Sequence, residues 1–260
     1  GDDDSDDNRN IDTGRLEADA ADRGAEPAER GADDELDGDL GELASRFDLD
    51  DTETFDDDGF LARRGEIIAL SADAALSRRA SALGLQVVEQ ELLASLNATV
   101  YRLSVPAAAP IDGILARLRA QDPNGVFDRN HLYDRSAAAS ASINASAGPS
   151  RALISAADGI TVGLIDTGVD VLHPALHGTH VQMQYFVDGS RVLPEAHGTA
   201  VVSLLVSPRF GMLPGAQLYV ASVFYEDRRG GSLSEARDLV RALDWLMERR
   251  VPVINMSLSG

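Results

Sequence analysis

Apolar positions divide the chain into stretches of different rhythm. They are sparse and aperiodic up to residue 59, and then become ordered. Ile67, Ile68 and Leu70 suggest a strand. Leu76, Ala80 and Leu83 recur at i, i+4 and i+7 and predict a helix stopped by Gly84. Val87 and Val88 mark a second strand. A third has Tyr101, Leu103 and Val105 alternating with Arg102 and Ser104. Pro110 opens another helix, striped by Ile111, Ile114, Leu115 and Leu118. Pro123-Asn124-Gly125 then turns the chain into a last short strand, Val126 to Tyr133. The order βαββαβ predicts a ferredoxin-like α+β unit over residues 60–134, a fold that names no function by itself.

Residues 135–157 are rich in Ser and Ala with no sustained period, and read as an accessible linker. Over residues 158–260 the rhythm changes again. Ile160 to Ile165 is nearly continuous in apolar residues, as in a parallel-sheet strand covered on both faces. Val181, Met183 and Tyr185 alternate with polar residues, a half-exposed strand. A helix of small residues is expected from about Gly198 to Val206, and a buried strand from Leu218 to Phe224. Ser232 and Glu235 fit a capping box before a helix whose Ala236, Leu239, Val240, Leu243, Leu246 and Met247 share one face. Val251 to Leu258 is the next strand. Alternating strands and helices predict an α/β domain with a parallel sheet, in which ligands bind at the carboxyl ends of the strands.

Charge sharpens this division. Residues 1–58 carry 24 Asp or Glu against 5 Arg, while the whole chain of 260 residues has a net charge of −20. The acidity therefore belongs to a tail, residues 1–59, too polar and self-repelling to offset the entropy of ordering, and expected to be disordered. It lacks the glycine and glutamate register of an EF-hand loop. The sequence has no Cys, so neither a disulfide framework nor a Cys-ligated metal is expected. No apolar run approaches the ~20 residues of a membrane span. No basic patch suits nucleic acid. The chain does not begin with Met, so a removed leader or an excised segment is expected.

Four motifs carry the chemistry. They are Val162-Gly-Leu-Ile-Asp166-Thr-Gly-Val-Asp170 with His173-Pro174, then His197-Gly198-Thr199, then Leu213-Pro-Gly-Ala-Gln-Leu-Tyr-Val220, and finally Val253-Ile-Asn-Met-Ser-Leu258. Acyl transfer by a serine needs a base for the hydroxyl proton and a carboxylate holding that base in one tautomer. Asp166 at a strand end supplies a rigid carboxylate. His197 opening a helix places an imidazole at the positive end of a dipole, the setting of a neutral base. In order and spacing these motifs resemble the subtilisin-like serine protease (subtilase) family over residues 159–260.

The resemblance implies a serine endopeptidase working by an Asp-His-Ser triad, with Asp166 and His197 as its first two members. It implies a polypeptide substrate pairing through its backbone with Ser257, Leu258, Ser259 and Gly260. It also implies that residues 60–134 are an inhibitory propeptide leaving its last strand in the cleft, with a processing site in the linker, and a secreted or periplasmic location. No cofactor or metal is implied, and the calcium loop common in the family looks shortened around Ser207 to Met212. Ser259 and Ser203 stand where the family usually has Gly. His177, in a second His-Gly-Thr, lies only 11 residues past Asp166 and runs into a strand; His197 lies 31 past and leads into a helix. Asp166-Thr-Gly also fits an aspartic protease, but its second copy, Asp12-Thr13-Gly14, sits in the acidic tail. The family's nucleophile motif and oxyanion asparagine do not occur up to Gly260, so the chain alone is expected to be inactive. A pseudoprotease scaffold and a propeptide-type inhibitor are the alternatives.

Overall fold

The computed structural model describes residues 49–135, 157, 159–187 and 196–259. The acidic tail as far as residue 48, the linker interior with its expected processing site, and Gly260 lie outside the described residues.

The first unit comprises β1 (Glu53–Phe55), β2 (Leu61–Ser71), α1 (Leu76–Ala82), β3 (Gln86–Leu93), β4 (Ala98–Ser104), α2 (Ile111–Gln121) and β5 (Val126–Arg135). Its strands pair antiparallel in the order β3-β4-β2-β5, with β1 added to β2. The two helices cover one face, closing a core of Ile67, Ala69, Leu76, Leu103, Leu115, Leu118 and Phe127. Gly84, at φ +80°, turns the chain out of α1 in a conformation that a side chain rarely adopts.

Ordered structure starts before residue 60, where the sequence reading ended its tail. Asp56 closes the turn after β1 by accepting from the N–H groups of Asp58 and Phe60, and its other oxygen lies 2.9 Å from His131 Nε2. Burial alone would raise the Asp56 pKa, but the bonds from His131 and Phe60 hold it below its ordinary value. A three-residue strand among six carboxylates leaves no alternation to read.

The second unit holds β6 (Thr161–Asp166), a 3₁₀ turn (Pro174–Leu176), β7 (His180–Tyr185), α3 (Ala196–Val206), β8 (Gln217–Ser222), β9 (Tyr225–Glu226), β10 (Ser232–Glu235), α4 (Ala236–Glu248), β11 (Ile254–Met256) and β12 (Leu258–Ser259). Four of these strands form a parallel sheet in the order β11-β6-β8-β7. Val202 and Val206 of α3 pack on one face against Val162, Leu164, Leu218 and Val220. Leu239, Ala242, Trp245 and Leu246 of α4 cover the other with Ile165, Ala221 and Val223. Gly163 keeps that helix close: a Cβ there would lie 3.1 Å from Val251 and 3.2 Å from Leu246. Gly198 lets α3 begin hard against the end of β6, since a Cβ would meet Gly168 O at 2.6 Å and Thr167 O at 2.7 Å.

Three expectations need correction. Ser232–Glu235 is a strand, not a capping box; Glu235 precedes α4 without a side-chain cap, and its carboxylate accepts instead from Arg63 at 3.1 Å and Asn130 at 3.3 Å. Pairing with β5 and β9 outweighs the local cap. The strand expected from Val251 to Leu258 is confined to Ile254–Met256, because the chain departs at Ser257 to pair elsewhere. The apolar residues of α4 also serve two partners. Leu239, Leu243 and Leu246 face the parallel sheet, Ala236 and Val240 face Ile68, Leu93 and Val100 of the first unit, and Met247 is exposed.

Ion pairs flank this second contact. Arg237 pairs with Glu89, Arg241 with Glu91 at 2.6 Å, and Arg229 with Glu53 at 3.2 Å. Asp244 accepts from the backbone N–H groups of Ser95 and Leu96. Asp238 is buried between Arg237 and Arg241, each at 3.3 Å. Burial pushes its carboxyl up to about 6, against the pull of both arginines.

Two outcomes follow from this packing. Gly198→Ala forces α3 off the β6 end and costs about 1–3 kcal/mol of stability, read from urea unfolding midpoints. Because Asp238 has its folded value raised above the ordinary 3.8, its contribution is fullest below about pH 4 and is lost as pH rises through about 6. Asp238→Asn is therefore expected to raise the melting temperature at pH 7.5 and to lose that advantage at pH 4, in paired thermal melts.

Candidate active site

The site is assembled at the carboxyl end of the parallel sheet. Asp166 is the last residue of β6, wholly buried, with β8 and β11 hydrogen-bonded on either side. Its Oδ1 accepts from Thr167 N at 2.6 Å and lies 2.7 Å from His197 Nδ1. His197 is the second residue of α3, and only 8% of its side chain is exposed. Two threonines fix the approach. Thr167 Oγ1 accepts from Gly198 N at 2.9 Å, and Thr199 Oγ1 accepts from Asp170 N at 2.8 Å. The turn after β6 and the first turn of α3 are thus stitched together on both sides of the Asp-His pair. Sequence reasoning used these threonines only as motif letters; nothing in the pattern gave them partners.

The other histidines are elsewhere. His173 Nδ1 accepts from Ala175 N within its own turn, His177 Nε2 lies 3.2 Å from Leu172 O on the surface, and His180 is exposed at the start of β7. His131 is paired with Asp56 in the first unit. Among the described residues no group of three or more His, Asp or Glu side chains is arranged to hold a metal ion.

Beside the pair runs a slot for extended backbone. Ser257 N donates to Ile165 O at 3.1 Å, and its hydroxyl accepts from Asn255 Nδ2 at 3.1 Å. Leu258 and Ser259 then leave the parallel sheet and pair antiparallel with Arg135 and Asp134 at the end of β5. On the other side of β5, Leu233, Ser234 and Glu235 of β10 pair with Asp134, Tyr133 and Leu132. Leu132 packs against Tyr225, Leu233 and Val187, and Tyr133 against the cluster that includes Leu258. Burial raises the Tyr133 phenol above its ordinary value. Thus the structure brings Asp166 and His197 into contact and sets Ser257, Leu258 and Ser259 at the adjoining slot. Sequence reasoning missed β10, the slot's second wall; its one available sign was the alternation within Ser232-Leu-Ser-Glu.

Arranged this way, the imidazole has Nδ1 committed to a buried carboxylate, which leaves Nε2 to exchange a proton with a hydroxyl placed next to it.

Residues 157–260 match the Subtilase family of S8 peptidases. A subtilisin-like protease of Coccidioides posadasii (strain C735) is 28% identical over 169 residues, covering 62% of this chain and 36% of that protein. Subtilisin-like protease 1 of Trichophyton equinum is 27% identical over 181 residues, 66% of this chain and 30% of that protein. The chain therefore spans about a third of the length of the curated relatives it matches. Fervidolysin from Fervidobacterium pennivorans, a keratinolytic enzyme related to subtilisin, shares the fold at a TM-score of 0.54 and 17% identity, over 82% of this chain and 37% of its own. The segment that matches the subtilase family, residues 157–260, is thus the one whose parallel sheet ends in the paired Asp166 and His197.

Proposed function

We propose that this chain is the propeptide and the first part of the catalytic domain of a subtilisin-like serine endopeptidase. The observation that carries the reading is the buried Asp166–His197 hydrogen bond beside a slot already filled by extended backbone. In this mechanism Asp166 accepts the Nδ1 proton of His197, fixing the tautomer, and Nε2 takes the proton of a serine hydroxyl as the oxygen attacks a peptide carbonyl. Nε2 then gives that proton to the leaving amine. The serine and the donors that stabilise the oxyanion are not among the motifs of residues 1–260, and this length alone is expected to give no turnover. Substrate enters as a strand between β10 and β12, main-chain bonds supplying affinity and side-chain pockets supplying choice.

Two observations support an inhibitory role for the first unit. The end of its β5 pairs with β10 and β12, where substrate is proposed to enter, and its order β2-α1-β3-β4-α2-β5 is the βαββαβ order expected of a ferredoxin-like propeptide. Cleavage in the linker would leave it bound as a product-like inhibitor until it is released or degraded. The ion pairs to α4 make this hold selective for its own partner. Export from the cell goes with such a zymogen.

In the full-length protein, Asp166→Asn and His197→Ala are each expected to cut peptide hydrolysis by at least about 10³-fold without changing the melting temperature by more than a few degrees. Retained turnover in His197→Ala would sink the assignment. If the first unit is a bound inhibitor, Arg241→Ala should speed its dissociation from the processed enzyme by at least about 10-fold, followed as the return of activity after dilution.

A further inference from the structure

Asp166 leaves one oxygen unaccounted for. An ionised carboxylate accepts at up to four lone-pair positions, and Oδ1 already takes Thr167 N and faces His197 Nδ1. Oδ2 is buried and has no partner among the described residues. On the neighbouring strand, Ser222 is equally buried, and its Oγ is also without a partner among the described residues. The two residues are register partners in the parallel β6–β8 ladder. Register partners direct their side chains to the same face, from strands about 4.8 Å apart. That face is the one on which Leu164 and Val220 meet α3, the helix that carries His197. Two buried polar atoms with unmet hydrogen-bonding capacity thus stand side by side at the end of the sheet.

We infer that Ser222 is a positioning residue for Asp166, its hydroxyl donating to Oδ2 either directly, by rotation about χ1, or through one enclosed water. The inference rests on the proposed roles of Asp166 and His197. An aspartate's terminal torsion is broad and soft. A carboxylate gripped at Oδ1 alone can turn about Cβ–Cγ and carry its acceptor away from the imidazole, whereas a second bond at Oδ2 fixes the plane. The backbone holds the anchor in place: Val223 N donates to Asp166 O at 3.0 Å, and Phe186 N donates to Ser222 O at 2.9 Å. Ser222 acts only through Asp166. The donor also stabilises the carboxylate's charge, so removing it makes the local potential more negative and moves the ionisations of the pair upward.

The test compares Ser222→Ala and Ser222→Thr in the full-length protein with a fluorogenic peptide. Ser222→Ala is expected to lower kcat about tenfold with KM changed less than about twofold, and to move the acid limb of the kcat–pH profile up by about half a unit. Ser222→Thr, which keeps a hydroxyl, restores both. Wild-type kcat and an unmoved limb in Ser222→Ala overturn the inference. His197→Ala in the same assay separates the two ideas: if it abolishes turnover while Ser222→Ala is silent, only the role of Ser222 falls. If Ser222→Ala does not fold, a crystal structure of the unsubstituted protein decides. Ser222 Oγ, or a water it holds, within about 3.2 Å of Oδ2 supports the role, and a different donor on Oδ2 ends it.

Discussion

A hydrogen bond between Asp166 and His197 requires a strand and a helix separated by thirty residues to finish at one point. Strand β6 reaches it because β8 holds its backbone to the last residue and β11 as far as Ile165. Helix α3 reaches it because Gly198 has no side chain to strike the carbonyls of Thr167 and Gly168. The threonine bonds across the same joint remove the remaining freedom. The carboxylate is then shut away from water, where a hydrogen bond counts for more and an unpartnered charge costs more. Everything else in the second unit, from the paired helices to the small residues beneath them, keeps those two backbone ends in place.

Much of this was legible because the signals were local and strong. The nearly continuous apolar run ending at Asp166 pointed to a covered strand, and His-Gly-Thr before small residues announced a helix lying close on a sheet. In the first unit, alternation around Tyr101 and Leu103 and the stripe of α2 gave their elements directly. The failures share a cause. Glu53–Phe55, Ser232–Glu235 and Leu258–Ser259 are two to four residues long, and become strands only by adding to β2 or β5. No period can be read in so short a segment, and its partner is remote in the chain. The same holds for α4, whose single apolar stripe concealed that a second surface would claim Ala236 and Val240.

That shared helix explains an unusual mixture of residues. Most of its apolar side is committed to the parallel sheet, with Trp245 edge-on to Phe186 and Tyr219, so beyond Ala236 and Val240 what it presents to the first unit is charge. Arginines on α4 meet glutamates on β3, and Asp244 caps the turn that follows β3. A contact of this kind gains less from burial than a hydrocarbon surface would, but it tolerates very few partners, since every wrong neighbour strands a charge.

The end of β5 lies within a sheet rather than at its margin. An edge strand can peel away one residue at a time, each step breaking a single ladder that water at once replaces. Leu132 to Asp134 pair with β10 on one side, and Asp134 and Arg135 with β12 on the other, so the two short ladders overlap at Asp134 and hold the segment from both sides. Departure must break both ladders rather than one. Cutting the chain elsewhere would leave both ladders intact, and so would not by itself set the segment free.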